Sequence, residues 1–96
     1  MKVTLLASAL RNLDEGYEWY ERQDPGTGAY FLRHIMSEIA SLHRLAGIHR
    51  QSRGLYRFPV RTFPFALYYT IEGGDVLVKA ILDSRRSLAW IRKRLR

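Results

Sequence analysis

The chain contains no cysteine and only three prolines among its 96 residues. Without cysteine there is no disulfide framework and no thiolate zinc site, so a hydrophobic core must hold the fold together. The absence of cysteine also fits a reducing compartment, and we expect a cytoplasmic protein. The histidines His34, His43 and His49 lack close pairing and have no carboxylate at ligand spacing, so no metal site is expected. The sequence has no glycine-rich phosphate loop either, and we expect no cofactor.

Long apolar runs are also missing, because no stretch approaches the ~20 residues that a membrane-spanning helix needs. The first ten residues resemble a secretion signal, but Arg11, Asp14 and Glu15 end the apolar stretch early. We therefore expect a mature N-terminus and no association with a membrane. With 47% hydrophobic residues the chain is not a disordered tail, and its length predicts a single domain over residues 1–96.

Acidic residues are scarce. Nine Asp and Glu stand against sixteen Lys and Arg, which leaves a formal net charge of +7 at pH 7. No acidic residue lies between Arg44 and Arg61, and none follows Asp83. This excess of positive charge favours an acidic partner, of which nucleic acids, acidic proteins and membrane surfaces are the candidates.

The first half of the chain has the pattern of a strand and two helices. Residues 2–7 indicate a short strand, and Ser8 is a candidate cap for the helix that follows. The apolar positions of that helix recur at helical spacing and are Leu10, Leu13, Tyr17 and Tyr20. Asp24 and Pro25 signal the start of a second helix, and Gly47 its end. A short connection between the two helices predicts an antiparallel helical hairpin.

The second half changes to the alternation of strands. We expect strands over residues 55–61, 63–71 and 75–83, with Gly73 and Gly74 in a tight hairpin turn between the last two. Ser87 is a candidate cap for a short terminal helix. The predicted order is β-α-α-β-β-β-α, an α+β fold with the helical hairpin packed on a mostly antiparallel sheet.

Alternation along the strands assigns side chains to the two faces of this sheet. We expect the face beneath the helices to contain Phe63, Phe65, Leu67, Tyr69, Ile71, Val76, Val78, Ala80 and Leu82. The open face is expected to contain Arg57, Arg61, Ala66, Tyr68, Leu77, Lys79 and Ile81. A patch that is both apolar and basic suggests a surface for a partner. The alternative is that the terminal helix covers its apolar part.

The terminal segment DSRRSLAWIRKRLR combines a tryptophan with six basic residues. A helical projection places Leu88, Ile91 and Leu95 on one stripe, which should dock on the domain. The same projection turns Trp90 outward beside Arg94. Trp and Arg are the residue types that dominate interface hot spots. The alternative is a solvated helix end, because cations are favourable near a helix C-terminus.

A set of motifs in the second half is similar to a known family. The segment RTFPFALYYTIEGGDVLVKAILDSRRSLAWIRKRL resembles the C-terminal half of the RelE/ParE toxin superfamily, and its ParE branch in particular. The similar features are, in order, Phe63-Pro64-Phe65, Tyr68-Tyr69, the turn Glu72-Gly73-Gly74-Asp75, Arg85-Arg86 and Trp90. The first half is similar to the same family, since it contains a helix, a Pro-Gly break and a second helix in the segment YEWYERQDPGTGAYFLRHI. The resemblance covers nearly the whole chain and lies in the order and spacing of these features.

The resemblance implies the toxin of a type II toxin–antitoxin system. A ParD-like acidic antitoxin, partly disordered, is expected to wrap the toxin and hold it inactive in a hetero-oligomer. Members of the ParE branch act on DNA gyrase, so we expect inhibition of gyrase by binding and no direct contact with nucleic acid. The expected target-binding residues are Arg85, Arg86, Trp90, Arg92 and Arg94. The expected antitoxin-binding residues are Arg57, Arg61, Tyr68, Leu77, Lys79 and Ile81.

The alternative within the superfamily is the RelE-type ribonuclease, which cuts messenger RNA on the ribosome. Such members are similar to this chain at Arg57 and at the bases before the last helix. They differ at three points. Where they have a central-strand arginine this chain has Ala66, and where they have a second strand cation it has Pro59. Where they have a terminal Tyr or His, this chain has Trp90 or Ile91. Because general acid catalysis needs a proton donor, the sequence offers no catalytic residue and favours a binding protein. A plain nucleic-acid-binding module is a third hypothesis, which the positive charge alone would allow.

Overall fold

The computed structural model describes all 96 residues, which form five strands and three helices. The elements in chain order are β1 (Val3–Leu5), α1 (Ala7–Gln23), α2 (Thr27–Leu45), β2 (Arg50–Ser52), β3 (Leu55–Pro59), β4 (Phe65–Glu72), β5 (Asp75–Asp83) and α3 (Leu88–Arg94). None of the helices is long and apolar enough to cross a membrane. The predicted α+β class is confirmed.

The five strands form one mixed sheet in the order β1-β5-β4-β3-β2. β1 runs parallel to β5, and all other neighbouring strands are antiparallel. The predicted bounds of β5 and the hairpin turn before it are confirmed. Gly73 and Gly74 have φ angles of +61° and +82° there, a conformation that glycine adopts without strain.

The helices α1 and α2 pack side by side on one face of the sheet and enclose the main core. The fully buried members with the largest side chains include Tyr69, Phe31, Ile35, Leu42 and Leu67. Gly16 of α1 allows the close contact between the two helices, because a Cβ there would lie 2.7 Å from the ring of Phe31. The glycine that weakens α1 in isolation is therefore what lets the aromatic ring reach the core.

The start of α1 differs from the prediction. The helix begins at Ala7 after Leu6, and Ser8 is not its cap. The Ser8 hydroxyl instead donates a hydrogen bond to the backbone carbonyl of Lys79 on β5, at 2.6 Å. The buried stripe passes through Ala9 and Leu13, and Leu10 is 50% exposed. The predicted stripe therefore contained one residue that faces solvent.

A β-bulge in β5 reverses part of the predicted face assignment. Tyr68 pairs with Ala80 and Tyr69 pairs with Val78, so Lys79 is an extra residue in the ladder. Beyond it the alternation changes phase, and Ile81 points into the helix-covered core with only 1% exposure. The sequence prediction was wrong for Ile81, which was expected on the open face. It was also wrong for two residues that lie on the opposite face, Ala80 and Leu82.

Side chains of α1 satisfy the backbone groups that the bulge removes from the ladder. Asn12 accepts a hydrogen bond from the Ile81 N–H at 3.0 Å, and Ser8 donates to the Lys79 carbonyl. Buried backbone groups need such partners, so α1 stabilises the irregular register of β5.

The sequence prediction missed β2. Its three residues are all exposed, so no alternation of apolar and polar residues marks them. β2 and β3 are joined by a two-residue turn in which Arg53 and Gly54 have φ angles of +56° and +78°. Positive φ at both central residues is the geometry that joins twisted antiparallel strands in a tight hairpin.

The helix α3 lies on the other face of the sheet and covers a second cluster. Its members are Leu55, Ala66, Tyr68, Ala80, Leu82 and Ile91, with Trp90 and Leu95 packed against them. The predicted cap is confirmed, because the Ser87 hydroxyl accepts a hydrogen bond from the Trp90 N–H at 3.1 Å. Leu88 was predicted to dock but is 60% exposed, since the helix meets the sheet through its later residues.

Candidate functional site

Trp90 lies between two arginines on α3. The Arg86 guanidinium lies 4.8 Å from the centroid of the Trp90 ring, and that of Arg94 lies 3.7 Å from it. Arg94 also donates a hydrogen bond to the Trp90 carbonyl at 3.3 Å. Cation–π contacts of this kind hold the indole and both guanidinium groups in a fixed arrangement. Trp90 is half-buried, so it is turned outward less fully than the helical projection predicted.

The three side chains Arg86, Trp90 and Arg94, called here the arginine–tryptophan stack, form one wall of a cleft. This tryptophan cleft, about 390 Å³ in volume, lies between α1 and the junction of β5 with α3. Trp19 of α1 also lines this cleft and is 46% exposed. Sequence reasoning missed Trp19 as a surface residue, although it lies off the apolar stripe of α1. Burial raises the pKa of Tyr20, which lines the same cleft, so its hydroxyl stays protonated near neutral pH.

Arg85 and Arg86 differ in their surroundings. Arg85 forms a bidentate ion pair with Asp83, with distances of 3.1 Å from Nε and 2.8 Å from Nη2. The hydrogen bonds from the Arg85 side chain lower the pKa of Asp83, and the same contact raises the pKa of Arg85. Arg86 forms no ion pair, and its guanidinium lies over the indole of Trp90, although its charge also contributes to the lowered pKa of Asp83. Arg85 is therefore the one predicted target-binding base that is held in an ion pair, whereas Arg86, Arg92 and Arg94 have none.

A second cleft lies on the other side of Arg86. This arginine cleft, an open space of about 450 Å³, separates the β2–β3 turn from α3. Its charged lining residues are all basic and are Arg53, Arg57, Arg86 and Arg92. None of the four forms an ion pair within the chain. On its floor Arg57 donates a hydrogen bond from Nε to the hydroxyl of Tyr68 at 3.3 Å, and Tyr68 is 4% exposed.

The predicted antitoxin-binding residues do not form one patch. Arg57 and Tyr68 lie in the arginine cleft, and Arg61 is exposed in the loop after β3. Leu77 and Lys79 are half-buried on β5, where Lys79 lies 4.0 Å from the carboxylate of Glu72. Since Ile81 is in the core, it is not at the surface of the folded chain. Arg92 and Arg86 from the predicted target-binding set join Arg57 in the arginine cleft instead.

Groups for acid–base chemistry are few in the arginine cleft, whereas Glu15, Glu18, Tyr20 and Asp83 line the tryptophan cleft. The arginine cleft contains no His, Asp or Glu side chain, and the Tyr68 hydroxyl is its one aromatic O–H group. His49 lies on the helix-covered side, stacked on Phe58 at 4.2 Å and hydrogen-bonded to the Tyr69 hydroxyl. No group of three or more His, Asp or Glu side chains in the chain is placed to hold a metal ion.

Comparisons with known proteins match this architecture. The family model described as the ParE toxin of type II toxin-antitoxin system, parDE, matches residues 3–88. A solved structure described as the chromosomal ParDE TA system from P. aeruginosa has a similar fold, with a TM-score of 0.77. Its sequence is 17% identical, and the match covers 84% of this chain and 92% of that one. No curated protein matches the sequence.

Proposed function

Because the chain belongs to the family of ParE toxins of type II toxin–antitoxin systems, we propose that it inhibits DNA gyrase by binding to it. A cognate ParD-like acidic antitoxin neutralises the toxin in a toxin–antitoxin hetero-oligomer. Both the target and the toxin then reside in the cytoplasm. The toxin acts as a binding protein and has no catalytic residue.

The arginine–tryptophan stack is the observation that supports a protein target most directly. It combines a large aromatic ring with two guanidinium groups that have no acidic partner. Such residues contribute most of the binding energy in protein interfaces when they are held rigidly. Here the cap at Ser87 and the burial of Ile91 fix the helix that carries the stack. Arg92 is exposed on the same helix and extends this target-binding surface.

The ribonuclease alternative has weaker support from the geometry. The arginine cleft supplies cations that would suit a phosphate, but its floor offers only the Tyr68 hydroxyl as an O–H acid. That hydroxyl accepts a hydrogen bond from Arg57 and belongs to a side chain that is only 4% exposed, so it is poorly placed to protonate a leaving group. A binding mode of inhibition needs no such group.

Antitoxin binding is proposed for the members of the predicted set that reach the surface. These are Arg57, Arg61, Leu77 and Lys79. Their mixture of cationic and apolar side chains suits an acidic segment that folds on binding. Tyr68 takes part through its hydroxyl at the floor of the arginine cleft.

Expression in bacteria from a tightly repressed promoter tests the proposal. The wild-type chain should cause filamentation and a DNA-damage response, because inhibited gyrase stalls replication. The double variant Arg86→Ala/Trp90→Ala should grow normally, since the stack is gone. The control Arg11→Ala/Arg44→Ala removes two exposed bases from the helical hairpin, one positive charge more than the test variant loses, and should remain toxic.

Two results would count against this function. One is growth arrest with cleaved ribosome-bound messages and no DNA damage, which would indicate the ribonuclease. The other is full toxicity of the Arg86→Ala/Trp90→Ala variant, which would remove α3 from the target-binding surface. Thermal unfolding of each purified variant establishes that a loss of toxicity is not a loss of fold.

A further inference from the structure

The turn between β5 and α3 is closed by backbone hydrogen bonds. The Ser84 N–H donates to the Pro64 carbonyl at 2.8 Å, which holds the turn to the loop before β4. The Arg86 N–H donates to the Asp83 carbonyl at 3.3 Å, which closes a four-residue turn. Because α3 begins at Leu88, only two residues after Arg86, the shape of this turn sets the direction in which the helix leaves the sheet.

The carboxylate of Asp83 makes three further hydrogen bonds within this turn. Its Oδ1 accepts one from the Arg85 backbone N–H at 2.9 Å, the pattern by which an aspartate side chain stabilises a turn. The Arg85 guanidinium adds the two bonds of the ion pair, at 3.1 Å to Oδ1 and 2.8 Å to Oδ2. Since the Asp83 side chain is only 21% exposed, solvent screens this pair less than an open one. One carboxylate therefore holds both the backbone and the side chain of Arg85.

The target-binding side chains follow directly after this turn. The Arg86 guanidinium lies 4.8 Å from the centroid of the Trp90 ring, and the Trp90 N–H is bonded to the Ser87 hydroxyl. A helix of seven residues is marginal by itself, so its placement depends on the turn that precedes it and on the burial of Ile91. The arginine–tryptophan stack is therefore placed from one side by Asp83 and from the other by the core beneath Ile91.

The two neighbouring arginines have different tasks in this arrangement. A bidentate pair between a guanidinium and a carboxylate is among the stronger polar contacts in proteins, and Arg85 would have to break it to bind a partner through the same nitrogens. Arg86 has no such bond to break. The geometry therefore separates a base that shapes the turn from a base that is free to make contacts.

We propose that Asp83 is a positioning residue for the target-binding surface. Its carboxylate, paired with Arg85, fixes the turn from Asp83 to Arg86 and so places Arg86 and Trp90 for contact with the target. Arg85 acts inside the turn and does not itself contact the target. The ordering of α3 by Asp83 is independent of the proposed function, whereas its consequence for gyrase inhibition rests on that function.

Amide hydrogen exchange followed by NMR tests the ordering without gyrase. In Asp83→Ala, the amides of Trp90 and Ile91, both bonded to Ser87, should exchange about tenfold faster. The physical reason is that the loss of charge-assisted hydrogen bonds favours local opening of the turn. The amide of Leu67, in the buried centre of β4, should exchange at the wild-type rate.

The matched control is Asp75→Ala, at the other end of the same strand. Asp75 is half-buried like Asp83 and accepts a hydrogen bond from the Lys2 N–H at 2.8 Å. Its replacement removes the same charge and a comparable contact, but it should leave exchange in α3 unchanged. Asp83→Asn keeps an oxygen that can accept from the Arg85 N–H but loses the ion pair, so it should restore part of the protection.

Supercoiling by purified gyrase then tests the consequence for the target. Asp83→Ala should require about tenfold more protein than the wild type for equal inhibition, whereas Asp75→Ala should inhibit normally. Asp83→Asn and Arg85→Gln should weaken inhibition to similar extents, and the double variant no further than either alone, because all three lack the same ion pair. Weaker inhibition by Arg85→Gln with normal inhibition by Asp83→Asn would show that Arg85 contacts the target, which would overturn the proposal.

The exchange experiment has its own contrary outcomes. Wild-type exchange at Trp90 and Ile91 in Asp83→Ala would overturn the proposal, and so would equal acceleration by Asp75→Ala. Equal acceleration at Leu67 would indicate a general loss of stability and would also overturn it. Faster exchange in α3 with undiminished gyrase inhibition would overturn the role in target binding alone. If the wild-type toxin does not inhibit gyrase, the proposed function fails, and the exchange rates still decide whether Asp83 orders α3.

Discussion

At the scale of single residues, a small hydrogen-bonded group fixes the end of the helical hairpin to the sheet. The Tyr69 hydroxyl accepts a hydrogen bond from the Gly47 N–H at 3.0 Å and is also hydrogen-bonded to Nδ1 of His49. Burial lowers the pKa of His49 below its ordinary value, which favours the neutral imidazole in this position. Burial likewise raises the pKa of Tyr69. No local pattern in the sequence indicates this contact, because His49 and Tyr69 are twenty residues apart in the chain.

The lowered pKa of His49 predicts an acid-sensitive stability. In the unfolded chain His49 has its ordinary pKa of 6.5, so below that pH the unfolded state binds more protons than the folded state. The stabilisation from neutral His49 is complete above pH 6.5 and is lost as the pH falls through the lower pKa of the folded state. Urea unfolding followed by tryptophan fluorescence should show stability decreasing by up to ~1.4 kcal/mol per pH unit in that window.

A pair of histidine variants isolates this effect. His49→Phe keeps an aromatic ring beside Phe58 but cannot take up a proton, so the pH dependence in the window should flatten. His43→Gln changes an exposed histidine of α2 and should leave it unchanged. An unaltered pH dependence in His49→Phe would show that His49 is not the group responsible.

At the scale of elements, predictions succeeded where local chemistry decides the structure. β5 and its Gly73-Gly74 turn are strong local signals, and so is the cap at Ser87. Predictions failed where tertiary contacts decide. The bulge at Lys79 exists because α1 satisfies its backbone groups, and the exposed β2 forms because β3 supplies a ladder. Neither contact is visible in the hydrophobic pattern of one segment.

The terminal helix illustrates the same limit and allows a test. A seven-residue helix is marginal by itself, so burial of Ile91 must hold α3 in place. Ile91→Ala should weaken the packing of α3 on the sheet by about 2–5 kcal/mol and should speed amide hydrogen exchange across α3. Leu88→Ala removes an equally large apolar side chain that is exposed, and it should cost less than about 0.5 kcal/mol. Equal exchange rates in the two variants would contradict the docking described here.

At the scale of the whole molecule, the two proposed surfaces meet at α3. The net charge of +7 is not spread evenly along the chain, because five of the nine acidic residues lie in the segment from Asp14 to Asp24, both included. The face with α3 carries the unpaired arginines of both clefts. The sequence predicted Arg86 and Trp90 as site residues, but not the cleft that joins Arg86 and Arg92 to Arg57. That cleft depends on how β2, β3 and α3 are placed, which local patterns do not specify.

Supercoiling of relaxed plasmid by purified gyrase tests the central claim most directly. The wild-type toxin should inhibit supercoiling in proportion to its concentration, and Arg11→Ala/Arg44→Ala should inhibit equally well. Arg86→Ala/Trp90→Ala should require at least about a hundredfold more protein, as expected when two hot-spot side chains are lost. Undiminished supercoiling at saturating, folded wild-type toxin would contradict the account, and so would equal inhibition by the Arg86→Ala/Trp90→Ala variant.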